Sequence, residues 1–260
     1  MKISISIDVE QDLHSKTYIS LQKGIPLLLG LLNKYNIQST FFVPARLLEK
    51  FPHYFLNLEK QGHEIAIHGL THERFDNLPI IEKEKRIKES VRIYRKIFNK
   101  NPNGFRAPQH SIDEETLRIL EQNNFLYDAS YTPLNILQLL FFPRKFFFWL
   151  KGFFKSRKIN KIDDNFYEVP TSSFLIPFVS LPLRIFPWGL LKIYLNILRL
   201  TNKDFIFYAH SWDFIELPKS KINKYFNYRR LLNNLDKTIF YLYKENNFFT
   251  INHLIKNENT

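Results

Sequence analysis

Short apolar runs separated by helix-length segments recur along most of this chain, and that alternation restricts the fold more than any other feature. Lys2 to Asp8 alternates apolar and polar side chains with period two and predicts a strand, while Gly24 to Tyr35 carries the apolar spacing of an amphipathic helix. Ser39 to Val43 predicts a second strand, Ala45 to Lys60 a helix closed at Gly62, and His63 to Ile67 a third strand. A long helix over Pro79 to Phe98 follows. Further strands are expected at Gly104 to Ala107, Leu126 to Asp128, Tyr167 to Pro170 and Asp204 to Ala209, with helices at Glu114 to Asn123, Leu190 to Leu200 and Tyr228 to Lys244. About seven strands divided by helix-length segments predict an α/β fold whose parallel sheet closes as a barrel. With 260 residues, 45% of them apolar and 16% aromatic, the chain can fill the core of one such domain.

A single domain over residues 1–260 is therefore expected, with an apolar and basic insertion at about 131–165. The chain has no cysteine, so any metal must be held by nitrogen and oxygen donors. The opening MKISISIDVE reaches Asp8 without the apolar core of a signal peptide, which predicts a cytoplasmic start. The uncharged run Tyr131 to Pro143 falls short of the roughly 20 residues that cross a bilayer, so no transmembrane helix is expected. A net charge of +12 favours acidic partners such as nucleic acid, anionic lipid or a phosphate-bearing substrate, although a genome rich in Lys, Asn, Ile and Phe would give the same sign. Without a nucleic-acid motif, nucleic acid is not an expected partner.

Chemistry in such barrels gathers at the C-terminal ends of strands. Asp8 and Glu10 end the first strand two residues apart, so both point one way and Val9 the other. Two carboxylates so placed repel unless a cation or a shared proton relieves them. His68 and His72, in His-Gly-Leu-Thr-His after the third strand, have the spacing that a helical turn would bring to one side. Together with Glu10 they make an open metal set, three protein ligands with positions left for water and substrate. Arg106 ends another short strand before Pro108, placed either to clamp a carboxylate or to form a salt bridge at the barrel mouth. His210 closes the strand through Ala209. Beside it, Trp212 could line a sugar site and Asp213 could raise the imidazole pKa.

Taken in order, Ser-Ile-Asp8-Val-Glu10, Gly62-His-Glu-Ile-Ala-Ile-His68-Gly-Leu-Thr-His72, Phe105-Arg106-Ala-Pro108 and His210-Ser-Trp-Asp resemble the polysaccharide deacetylase (NodB homology) family. Ser39-Thr-Phe-Phe-Val, Tyr127-Asp128-Ala-Ser130 and Glu168-Val-Pro-Thr-Ser172 add to the likeness, which runs from Ile3 to about Asp213. The resemblance implies a distorted (β/α) barrel of about seven repeats that hydrolyses an N-acyl group on a sugar. It implies Asp8 as general base, His68 and His72 as ligands of a divalent metal expected to be zinc, Arg106 as the residue that orients Asp8, and His210 as general acid. The backbone N–H of Gln109 is implied as an oxyanion donor, and Asp128 and Asp213 are candidates for tuning His210. Most members carry two adjacent aspartates where this chain has Asp8 and Val9; a subgroup places its carboxylate ligand one residue later, which here is Glu10.

Leu134 to Lys161 is apolar and aromatic, then basic through Lys151, Lys155, Arg157 and Lys158, and reads either as a membrane-surface segment or as a buried helix with a solvated basic end. A second apolar stretch, Phe174 to Leu200, is interrupted by Pro177, Pro182 and Pro187. The expected substrate is an N-acetylated glycan or a polyprenyl-linked sugar, met at the inner face of the cytoplasmic membrane through peripheral contact with anionic lipid. Two other classes remain open: a non-sugar amidohydrolase resembling the allantoinases, and a catalytically silent glycan- or lipid-binding module, which the presence of Val9 favours.

Overall fold

The structure, a computed structural model, describes residues 1–13, 15, 17–133, 158–216, 228–243 and 246–256. The apolar and basic stretch expected to insert into the domain lies, over residues 134–157, outside the described residues.

The strands are β1 Lys2–Asp8, β2 Thr40–Val43, β3 Glu64–Ile67, β4 Gly104–Phe105, β5 Tyr127–Asp128, β6 Asn160–Asp163, β7 Phe166–Glu168, β8 Ser173–Phe174, β9 Ile176–Pro177, β10 Phe205–His210 and β11 Asn247–Phe248. One curled sheet runs in the order β10-β1-β2-β3-β4-β5-β7-β6, with β11 added beside β1. All its pairs are parallel except β6 with β7. β8 and β9 form a separate hairpin. Between the ends of the curl, Ser172 takes the place of a strand: its N–H donates to Ile206 O at 3.0 Å and its Oγ accepts from Ile206 N–H at 2.9 Å. The result is a distorted (β/α) barrel.

Helices α1 Ile25–Lys34, α2 Ala45–Lys50, α3 Pro52–Lys60, α4 Ile80–Phe98 and α5 Glu114–Gln122 connect the first five strands. Next come α6 Ser180–Ile185, α7 Trp188–Thr201, α8 Tyr228–Tyr243 and α9 Ile251–Lys256. The single helix expected over Ala45 to Lys60 is two, broken at Phe51, which leaves helical geometry with φ −130° and ψ 54°. Pro52 causes the break, because it disfavours helical backbone in the residue before it and suits the first position of α3. No helix among the described residues is long and apolar enough to cross a membrane.

The period-two pattern of β1 does not separate core from solvent, since both of its faces are interior. Ile3, Ile5, Ile7 and Val9 join the large apolar layer beneath the helices, while Ser4, Ser6 and Asp8, of opposite parity, are buried on the other face. A second cluster, with Phe42, Ala66, Tyr127, Val169 and Ile206, takes in Ile251, Leu254 and Ile255 of α9. Gly104 lets the Tyr127 ring approach: a Cβ there would stand 2.1 Å from that ring. Because the long run of strands is parallel, their C-termini share one rim, and β11 pairs with β1 at the opposite end, Lys2 with Asn247.

Candidate metal centre and active site

Asp8 is positioned by a guanidinium with no exposure to solvent. Arg106 donates from Nη1 to Asp8 Oδ1 at 2.6 Å, from Nη2 to Ser6 Oγ at 3.0 Å and from Nε to Ala129 O at 2.9 Å. Its planar group lies 4.0 Å over the Phe42 ring. The Ser6 hydroxyl in turn donates a hydrogen bond to Phe207 O at 2.9 Å, so the network ties β1, β10 and the residues that follow β4 and β5 together. Burial pushes the Asp8 carboxyl upward, but Arg106 first, then His68, His210 and His110, outweigh it and hold it at about 2. Arg106 thus forms a buried salt bridge whose partner is Asp8, the residue the resemblance implied it would orient.

Glu10 reaches the same rim but has other partners. One carboxylate oxygen contacts His72 Nε2; the other accepts from Trp212 Nε1 at 3.1 Å and lies 3.5 Å from His210 Nε2. The repulsion expected between Asp8 and Glu10 is thus met by separate cations and donors. His68 is buried and engages the Arg106 carbonyl through Nδ1 at 2.8 Å. That hydrogen bond makes Nδ1 the protonated nitrogen and leaves Nε2 as a lone-pair donor, the usual arrangement behind a metal-ligating imidazole. Burial lowers the His68 pKa, which favours the neutral form a ligand needs.

One donor atom each from Glu10, His68 and His72 lies within 4.8 Å of the others, the only such cluster of three or more among the described residues. A carboxylate with two imidazoles fits a divalent ion such as zinc in chemistry and in number.

The route by which the histidines meet differs from the expected helical turn. Residues 68 to 72 form a loop in which Gly69 has φ +71° and His72 φ 78°, both left-handed. Glu73 fastens this loop, its carboxylate accepting from Leu70 N–H at 3.0 Å, Thr71 N–H at 2.6 Å and Thr71 Oγ1 at 2.9 Å. The start of α2 is tied to the loop as well, through Ala45 N–H to Gly69 O and Arg46 N–H to Leu70 O, each 3.0 Å. A spacing of four therefore reports proximity here without reporting a helix.

His210 stacks on Trp212 with ring centroids 4.3 Å apart and planes at 12°. Its Nδ1 lies 3.4 Å from Asp213 Oδ2, which also accepts the His210 N–H at 2.9 Å. The other oxygen of Asp213 is held by the buried Arg184 at 2.9 Å. Burial alone would lower the imidazole pKa; the adjacent Asp213 carboxylate, then Glu10 and Asp8, reverse this and raise it to about 9. Of the two carboxylates considered as its partner, Asp213 is the one in contact. Asp128 is a correction: it accepts from Ser130 N–H at 2.9 Å and Ser130 Oγ at 2.6 Å, and that Oγ accepts from Ala107 N–H at 2.7 Å, so it braces the turn after Arg106. The Trp212 indole is engaged by Glu10 through its N–H and by His210 through its ring. Gln109 stands exposed in that turn with φ 54°.

The sequence assigned no role to Ser6, Glu73, His110, Arg184 or Tyr208, and quoted Ser130 only as part of a motif. His110 joins Ser130 O at 2.8 Å through Nδ1 and the Tyr208 hydroxyl at 2.9 Å through Nε2, and Tyr208 sits two residues before His210 on β10. Parity was the available signal for two of them: Ser6 shares the side of Asp8 on β1, and Tyr208 that of His210.

Fold and rim together define a NodB-like barrel carrying a candidate divalent-metal centre. The polysaccharide deacetylase family matches residues 15–127, a span that holds His68, His72, Arg106 and Gln109 and stops short of Asp8, Glu10 and His210. The peptidoglycan deacetylase-like protein FGM2 of Gibberella zeae is 34% identical over 109 residues, covering 41% of this chain and 32% of the relative. The peptidoglycan deacetylase of Helicobacter pylori is 32% identical over 107 residues, 41% of this chain and 36% of the relative. The chain thus spans about a third of the length of these curated relatives. Among solved structures, Puue allantoinase superposes with a TM-score of 0.66 at 16% identity over 96% of this chain and 86% of its own, a likeness of fold. The match to the polysaccharide deacetylase family thus covers residues 15–127 of the chain, and the barrel is the fold seen in solved structures of that kind.

Proposed function

We propose that this chain is a metal-dependent hydrolase that removes an N-acyl group, in the first instance N-acetyl, from an amino sugar of a glycan. The observation that carries this reading is the convergence of Glu10, His68 and His72 within 4.8 Å at the rim that also holds the Asp8–Arg106 pair. A divalent ion held by those three side chains, zinc in this proposal, supplies Lewis-acid polarisation of the acyl carbonyl and acidifies water when bound. Asp8, ionised and fixed by Arg106, takes the proton of the attacking water. The backbone N–H of Gln109 is assigned to the developing oxyanion. His210, kept protonated through neutral pH mainly by Asp213, gives its proton to the departing amine. The names of the matched relatives, peptidoglycan deacetylases, support the sugar as substrate.

Purified protein is expected to hold about one divalent ion per chain by elemental analysis and to release acetate from N-acetylated glycans. Metal-free protein that leaves peptidoglycan fragments and chito-oligomers intact while opening allantoin would replace this reading with the amidohydrolase one. Inertness on all three substrates would leave the silent module.

The finer reading is a lipid-linked sugar handled at the inner face of the cytoplasmic membrane. On α7, Leu190, Ile193 and Leu200 are 54%, 57% and 88% exposed, at spacings that share one helix side, while Leu191, Leu195 and Leu198 pack inward. An apolar face on a chain of charge +12 supports peripheral contact with anionic lipid. The protein is expected to float with vesicles containing phosphatidylglycerol, and the triple variant Leu190→Glu, Ile193→Glu, Leu200→Glu to stay behind; a wild-type protein that remains at the bottom of the gradient refutes the membrane reading.

A further inference from the structure

A cavity of about 830 Å³ opens beside the metal donors, lined by Glu10 and His72 and also by Asp12, Tyr18, Arg46 and Lys50. That volume falls within the roughly 300–1,000 Å³ that small-ligand sites occupy. Most charges among the described residues of its wall are already matched. Glu10 is committed to His72 and Trp212. Asp12 is buried and accepts from Thr17 Oγ1 at 2.7 Å, Ile19 N–H at 2.6 Å and Ser20 N–H at 3.1 Å. Arg46 pairs with Glu49 at 2.7 Å and Glu89 at 3.2 Å.

Lys50 is different. Among the described residues it makes no ion pair, and its ammonium rests 4.7 Å over the Tyr18 ring and 5.4 Å over Phe51. Those two rings pack edge to face at 5.8 Å, so the cation is held by aromatic faces and, among the described residues, by no carboxylate. An ammonium restrained in this way keeps its charge available to a ligand that enters the cavity, with less side-chain entropy left to lose.

We propose that Lys50, seated on Tyr18 and Phe51, is the counter-charge for an acidic group carried by the substrate, so that the glycan turned over at the metal centre bears a phosphate or a carboxylate. This specificity rests on the deacetylase reading. It assigns Lys50 to binding and leaves the chemical step to the rim residues, so loss of its charge raises KM and spares kcat.

Three N-acetylated probes separate the cases: neutral chitotetraose, a tetrasaccharide alternating N-acetylglucosamine and N-acetylmuramic acid for the carboxylate, and UDP-N-acetylglucosamine for the phosphate. Lys50→Ala is expected to raise KM about ten-fold for one acidic probe with kcat within about two-fold, to leave chitotetraose unchanged, and Lys50→Arg to restore the wild-type value. The acidic probe that responds identifies the source of the anion. Equal KM changes for neutral and acidic probes, or no change for any, overturns the proposal. Calorimetric binding of the same probes keeps the two readings apart: a wild type that releases no acetate yet binds an acidic probe through Lys50 loses the deacetylase reading and retains the anion site.

Discussion

Replacing Arg106 by methionine is expected to cost about 3–5 kcal/mol of folding stability, more than any other single change at the rim, because it leaves a carboxylate buried without its cation. Asp8 has almost no contact with solvent, and the guanidinium that faces it also satisfies Ser6 Oγ and Ala129 O. The pH dependence carries the sign of the effect. In the native protein Asp8 is held at about 2 against an ordinary value of 3.8, so its contribution is fully present above 3.8 and is lost as pH falls through about 2. Without Arg106 the burial that already pushes this carboxyl upward is no longer outweighed by its largest opponent, and the variant's deficit shrinks on acidification as Asp8 takes up a proton. Urea melts of both proteins at neutral pH and near pH 4 measure this. A deficit below about 1 kcal/mol, or one that grows on acidification, would show that Arg106 fills space in the lumen and does not neutralise Asp8.

Why Arg106 carries so much is also why it was only half legible in the sequence. Its partners Asp8 and Ser6 are 98 and 100 residues away, and strand parity places each on a face without saying which strands meet. The local alternation of β1 and the helical periodicities gave the elements, because each depends on neighbours a few positions apart. A closed sheet was expected, but the manner of closure did not show: Ser172 completes it with one side chain and one N–H, and β8 and β9 have two residues apiece, too few for a period. The His68–His72 spacing suggested a helical turn, yet a left-handed Gly69 and the staple by Glu73 bring the imidazoles together in a loop. Asp128 looked like a partner for His210 on type alone, and its hydrogen bonds to Ser130 give it a different task.

Glu10→Ala is expected to abolish both metal content and acetate release, and the neighbouring residue explains why no nearby carboxylate can take over. Loss of a group that merely supports a ligand typically costs roughly 10–100-fold in metal affinity or activity, so loss of a ligand should cost more than about 100-fold. Trp212→Phe, which removes the indole N–H from Glu10 while keeping an aromatic ring beside His210, is expected to fall inside that 10–100-fold range and to retain metal at saturating concentration. Val9 stands where most of the family places its carboxylate, and here its side chain is fully buried in the layer beneath the helices with Ile3, Ile5 and Ile7. The double variant Val9→Asp, Glu10→Ala should therefore lose stability by burying a charge and should still lack metal, since β1 parity turns position 9 away from His68 and His72. Elemental analysis with acetate assays on the three variants decides it. If the double variant recovered metal and turnover, the β1 end would be free to rotate its donors and the assignment of Glu10 would fail.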